Sequence, residues 1–108
     1  MYLTNFFSEE KEYNLKNTKN TRNLVKTICL DHNKELGFIN CIFCGDDYLL
    51  EINTKYLKHN YYTDIITFNF SEEEEKLEGD MYISIERANE NAELYKTTIE
   101  LEVIRLIT

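Results

Sequence analysis

Residues 38–57 read Phe-Ile-Asn-Cys-Ile-Phe-Cys-Gly-Asp-Asp-Tyr-Leu-Leu-Glu-Ile-Asn-Thr-Lys-Tyr-Leu, and the change of period inside this stretch decides how the chain is read. Phe38 to Cys44 is a short run dominated by β-branched and aromatic residues, the composition of a largely buried strand. Gly45-Asp46 turns the chain. Asp46 is then placed to cap a helix reaching Leu57, in which Leu49, Ile52, Asn53 and Tyr56 share one stripe and Glu51 to Lys55 forms a favourable i,i+4 pair.

Working outward, Ile65 to Phe70 reads as the next strand. A strand, a helix and a strand in this order predict a right-handed crossover and parallel pairing of the two strands. Asp80 to Ser84 follows closely enough to return antiparallel beside it, so the sheet is expected to be mixed. Ser84 is the predicted N-cap of a further helix, with Ile85, Ala88, Ala92 and Tyr95 on one face. Upstream, Tyr2 to Phe7 is an aromatic-rich first strand. Leu24, Val25, Ile28, Cys29 and His32 then mark the buried face of a helix that Gly37 ends. Its outer face carries Lys19, Arg22 and Lys26, most simply a solvated stripe and alternatively a track for a phosphate backbone.

The last twelve residues, Thr-Thr-Ile-Glu-Leu-Glu-Val-Ile-Arg-Leu-Ile-Thr, begin like a capped helix, with Thr97 and Glu100 as a capping box. They are apolar on most sides, and no Gly, Asn or Pro closes them. The expected fold is therefore α+β: a single domain with a mixed four-stranded sheet packed with about four helices.

With 108 residues, 43% of them hydrophobic and 30% charged, the chain suits one globular domain with a core. No Pro, Gly/Ser linker or repeat marks a boundary. No apolar run approaches the roughly 20 residues that span a bilayer, so no membrane partner is expected. The three cysteines Cys29, Cys41 and Cys44 sit among apolar neighbours, as packed thiols do in a reducing, cytoplasmic setting. Cys41 and Cys44 stand three apart on a strand and so point to opposite faces, which keeps them from sharing a metal. Of the net charge of −8, −7 falls on residues 71–108, and the run Glu72 to Glu75 with Glu78 reads as a solvated acidic turn. A generally basic nucleic-acid surface is excluded, but the near-neutral first 70 residues leave room for a local one.

The loop Lys58-His59-Asn60-Tyr61-Tyr62-Thr63-Asp64 is polar and aromatic and delivers the chain into a buried strand. It reads equally as a connection and as a site whose tyrosines stack on unpaired bases while Lys58 and His59 meet phosphates. Thr63 and Asp64 are suited to bonding backbone groups at the strand entrance. Residue types alone give no nucleophile pair, phosphate loop or metal cluster.

Ile39 to Phe43 with Asp46 to Asn53, then Thr63-Asp64-Ile65-Ile66-Thr67-Phe68, then Gly79-Asp80-Met81-Tyr82-Ile83-Ser84, resemble in order and spacing the signature segments of the YbeY family of bacterial endoribonucleases. The resemblance spans nearly the whole chain. It implies a metal-dependent single-strand endoribonuclease acting in ribosomal RNA maturation, with single-stranded or ribosomal RNA and ribosome components as partners. In that family a later helix carries His-Gly-x-x-His, followed by Gly-x-x-His, and the three histidines hold a metal, taken as zinc.

The family alignment places the first of them immediately after Thr108. The resemblance therefore implies a YbeY-like domain that is C-terminally incomplete, with no metal ligand and no bound zinc in this chain and no cleavage by it alone. Neither His32 nor His59 matches a ligand position. The family's frequent arginine for RNA cleavage aligns with Leu57, and Tyr62 stands where Pro is usual. Thr63, Asp64, Thr67, Asp80 and Arg105 are the implied cleft residues, and Lys58 or His59 the candidate RNA contacts. The competing readings are a non-catalytic RNA- or ribosome-binding module and a metalloprotease-like zinc hydrolase. The family motif lacks the Glu of His-Glu-x-x-His that the second would need.

Overall fold

The structure, a computed structural model, describes residues 3–9, 18–98 and 102. Seven elements follow one another among them: β1 (Thr4–Ser8), α1 (Thr18–Asp31), β2 (Glu35–Cys44), α2 (Asp46–Leu57), β3 (Ile65–Asn69), β4 (Lys76–Ser84) and α3 (Ile85–Leu94). The α+β class holds, with a mixed four-stranded sheet in the order β1-β2-β4-β3 and three helices. Of the fourth helix expected over Thr97 to Thr108, the described residues are Thr97, Thr98 and Glu102; Glu102 is helical and donates its N–H to the Thr98 carbonyl at 3.1 Å.

The pairing differs from the sequence reading in one respect. β1 and β2, joined through α1, are parallel neighbours, but the strand parallel to β2 across α2 is β4 and not β3. β3 runs antiparallel to β4, with Ile65 opposite Ile83 and Asn69 opposite Gly79, and takes the edge. The reason lies in burial. β4 can be sandwiched because Gly79, Ile83 and Ser84 are all buried, whereas β3 buries only Ile66 and leaves Thr67 and Asn69 exposed, as an edge strand can.

The alternation of side chains across the sheet divides the core in two. On one face Ile39, Cys41, Phe43 and Ile83 pack with Val25 and Cys29 of α1 and Ala88 of α3. On the other, Cys44 and Ile66 pack with Leu49 of α2. Cys41 and Cys44 thus do point to opposite faces, and all three cysteines are free and buried.

Several local expectations are corrected by the geometry. α1 is ended by Asn33 in the left-handed region, φ 56°, because Asn tolerates that conformation. Gly37 lies instead inside β2, at the irregularity between Leu36 and Phe38 where a Cβ would come within 2.4 Å of Glu78 Cγ. His32 falls just past the helix and is exposed rather than half-buried. Gly45, not Asp46, is the N-cap of α2. Asp46 is its first helical residue and accepts two hydrogen bonds from the Arg87 guanidinium, at 3.1 and 3.2 Å, and one from Ser84 Oγ at 3.3 Å. Ser84 is the N-cap of α3 as its sequence predicts, accepting from the Arg87 N–H at 3.1 Å. Tyr95, expected on the buried face of α3 with Ala88 and Ala92, is the exposed C-cap. On α1, Arg22 is not a free member of the basic stripe. Its Nε donates to the Thr4 carbonyl at 2.9 Å and its guanidinium lies over the Phe6 ring, which fastens β1 to the helix.

Two predictions follow from this packing. A Cβ at Gly79 would sit 1.9 Å from the Phe68 carbonyl oxygen, so β3 and β4 must separate to admit it. Gly79→Ala is expected to lower the stability measured by urea unfolding by about 1–3 kcal/mol. Unchanged stability would show that the two strands are not packed this closely. Burial pushes the Cys41 thiol from its ordinary value near 9 up to about 12. Between these limits the unfolded chain releases this proton and the folded one retains it. Stability should therefore fall as pH rises past about 9, by up to about 1.4 kcal/mol per pH unit from this group. In urea titrations between pH 8 and 10.5, Cys41→Ala should flatten that decline; equal slopes would refute the assignment.

Candidate RNA-binding cleft

The last turns of α2 and the edge strand β3 enclose a cleft of about 260 Å³ lined by Asn53, Leu57, His59, Tyr61, Thr63, Ile65, Ile66 and Thr67. Its geometry begins at the end of α2. Lys58 adopts the left-handed conformation, φ 60°, and with no following Gly this is what turns the chain out of the helix. The amides of Lys58 and His59 both donate to the Asn53 carbonyl, the latter at 3.1 Å. The Asn53 side chain, only 2% exposed, donates from Nδ2 to the Tyr61 carbonyl at 2.8 Å. Sequence reasoning placed Asn53 on the apolar stripe of α2 without a role. A polar side chain on a buried stripe was the available signal, since such a group needs a partner.

The loop is held at two further points. Tyr62 donates its hydroxyl to Asp47 Oδ1 at 3.0 Å, and the Arg87 guanidinium lies 5.1 Å from its ring centre. The hydrogen bond and the negative charge of Asp47 raise the Tyr62 phenol above its usual range, so it stays a donor. Arg87 is itself fixed by its forked bond to Asp46. At the strand entrance, Asp64 accepts the Ser84 N–H on its carbonyl at 3.0 Å and an Asn91 Nδ2 proton on its carboxylate at 3.3 Å. The same Asn91 amide reaches Glu102 Oε1 at 3.3 Å. Thr63 Oγ1 donates to the Ile65 carbonyl at 3.4 Å.

The candidates from sequence are thus distributed unevenly. Thr63, Thr67 and His59 line one cleft together with Leu57. Asp64 engages the α3 side through Asn91. Lys58 stands exposed at the head of the loop. Asp80 does not join them: it lies beneath α2 and farther from the sheet edge, where it accepts from Asn40 Nδ2 at 3.0 Å and lines a separate cavity of about 320 Å³ walled by Tyr48, Tyr56, Phe68, Phe70 and Tyr82. Arg105 is outside the described residues. Asn53, Asn91 and Glu102 are positioning groups that sequence reasoning missed.

Among the described residues no group of three or more His, Cys, Asp or Glu side chains is arranged to hold a metal. His32 and His59 line different cavities. Among the described residues, too, no helix is long and apolar enough to cross a membrane.

Comparison with known proteins agrees with this architecture. The family described as Endoribonuclease YbeY matches residues 5–108. An endoribonuclease YbeY of Cytophaga hutchinsonii is 42% identical over 102 residues, covering 94% of this chain and 71% of its own length. That of Flavobacterium psychrophilum is 44% identical over 101 residues with the same coverage, and for a Bacteroides fragilis relative the chain spans 63% of the length. The solution structure of a Thermotoga maritima protein superposes with a TM-score of 0.63, covering 96% of this chain and 66% of its own; at 24% identity it bears on the fold alone. The chain belongs to the endoribonuclease YbeY family.

Proposed function

We propose that residues 1–108 form one YbeY-like domain of a metal-dependent endoribonuclease that cuts single-stranded RNA in ribosomal RNA maturation, and that this segment supplies the RNA-binding cleft without the zinc ligands. The observation that carries the reading is the placement of Thr63 and Thr67, from the Thr-Asp-Ile-Ile-Thr-Phe segment that resembles a family motif, along a cleft that the end of α2 closes on the other side. The cleft opens beside the start of β3, which pairs with the carboxyl end of β4. Crevices outside the carboxyl ends of parallel strands are where open sheets bind ligands.

Within this reading, Leu57 lines the cleft where many relatives place an arginine. The contact to phosphate then falls to Lys58 and His59, both exposed on the same loop. Asp64 and Asn91 hold the loop and α3 in register, and Asp80, beneath α2, keeps β2 and β4 aligned through Asn40. Arg105, in the family alignment, precedes the first histidine by one helical turn and orients groups beside it. A soluble cytoplasmic ribonuclease meeting ribosomal RNA or ribosome components fits this assignment. The competing reading is a module that binds RNA and does not cut it.

A fusion separates the two. The chain is compared with a version extended after Thr108 by a family segment carrying His-Gly-x-x-His and the following Gly-x-x-His. The native chain is expected to bind a labelled single-stranded RNA without holding stoichiometric zinc or cutting, and the extended protein to hold zinc and cut. Replacing Lys58 and His59 with Ala should lower cutting by the extended protein by about tenfold or more, the scale of a lost charged hydrogen bond. Cutting by the native chain with zinc would refute the missing-ligand reading. An extended protein that holds zinc and leaves RNA intact would establish the binding module.

A further inference from the structure

The loop that follows α2 presents an aromatic platform whose shape is set before any ligand arrives. The rings of His59 and Tyr61 stack with centroids 5.2 Å apart and an angle of 18° between planes. The Tyr61 hydroxyl and His59 Nδ1 are also hydrogen-bonded at 3.0 Å, a second contact between the two side chains. The backbone beneath them is fastened to the helix. The His59 N–H and the Tyr61 carbonyl both bond Asn53, at 3.1 and 2.8 Å, and the His59 carbonyl accepts from Thr54 Oγ1 at 3.4 Å.

Despite this anchoring the platform faces water. Tyr61 is 56% exposed and His59 is exposed. An ordered pair of rings left open, at the wall of a cleft whose other side carries the hydroxyls of Thr63 and Thr67, has the parts of a site for a flat heteroaromatic ligand. The chemistry around it narrows the class. Lys58 precedes His59 on the same exposed loop, so a ligand with a π-face attached to a negative backbone is favoured over a neutral aromatic. The Thr63 hydroxyl, whose proton goes to the Ile65 carbonyl, offers an acceptor to a base edge, and the Thr67 hydroxyl can donate or accept.

We infer that the His59–Tyr61 stack is a nucleobase subsite, in which one unpaired base of the RNA continues the stack on the open aromatic face while Lys58 meets the adjoining phosphate. The subsite rests on the RNA-binding reading above and adds a requirement to it. A base within a duplex has both faces covered by its neighbours, so only an unstacked base can enter. Tyr61 is then a specificity-determining residue, and its effect depends on its ring and not on its hydroxyl.

The test uses the 108-residue chain and short unpaired RNAs carrying 2-aminopurine at successive positions, with binding read by anisotropy and stacking by fluorescence quenching. For the native chain, quenching at one position is expected, together with weaker binding when that position is made abasic. Tyr61→Phe should retain binding and quenching. Tyr61→Leu, which keeps the bulk and loses the π-face, should abolish the quenching and weaken binding on the order of 10- to 100-fold. Circular dichroism that matches the native chain confirms that each variant is folded. Native-like binding and quenching by a folded Tyr61→Leu would overturn the subsite while leaving RNA binding intact. Failure of the native chain to bind any of the RNAs would overturn the RNA-binding reading and the subsite with it.

Discussion

The parallel ladder between β2 and β4 is the constraint on which the other elements depend. It runs from Glu35 opposite Lys76 to Cys44 opposite Ser84, and both strands are flanked by partners on either side. Its backbone groups are therefore paired within the sheet, and its side chains must be covered on both faces. That demand places α1 and α3 on one face and α2 on the other. Gly79 allows the close approach of β3 that completes the antiparallel edge.

At the carboxyl end of that ladder the chain leaves the two central strands into two helices, and a polar junction joins them. Ser84 caps α3 and donates to Asp46, the first residue of α2, while Arg87 of α3 grips the same carboxylate with two nitrogens. Charged groups at helix starts are favoured when acidic, and Asp46 serves the α2 dipole as well as the ion pair. Arg87 then extends the junction outward by lying over Tyr62. The cleft loop is thus anchored at its far end by the same residues that orient the helices. It is anchored at its near end by Asn53.

Ahead of the Thr63-Asp64 entrance to β3, the loop takes its stiffness from Tyr62, bonded to Asp47 and covered by Arg87. Proline limits a loop by fixing its own φ angle, whereas Tyr62 limits it through contacts made elsewhere in the fold. The carboxylates Asp64 and Glu102 share one amide, that of Asn91, which links the strand entrance to α3 and to the segment containing Glu102.

Sequence by itself determined the succession of elements, because apolar period and local capping are local properties. The strand from Phe38 to Cys44, the helix to Leu57, Ser84 as a cap and the opposed directions of Cys41 and Cys44 were all legible in this way. So was the family, since three short segments in fixed order carry it. Only the tertiary structure decided that β4 and not β3 lies beside β2, since two strands of similar composition compete for the central place and total burial settles the choice. It likewise decided the company each candidate residue keeps. Thr63, Thr67 and His59 meet at one cleft at the edge strand, whereas Asp80, one strand further in, faces a separate aromatic cavity beneath α2, a consequence of strand order and register that no spacing along the chain expresses.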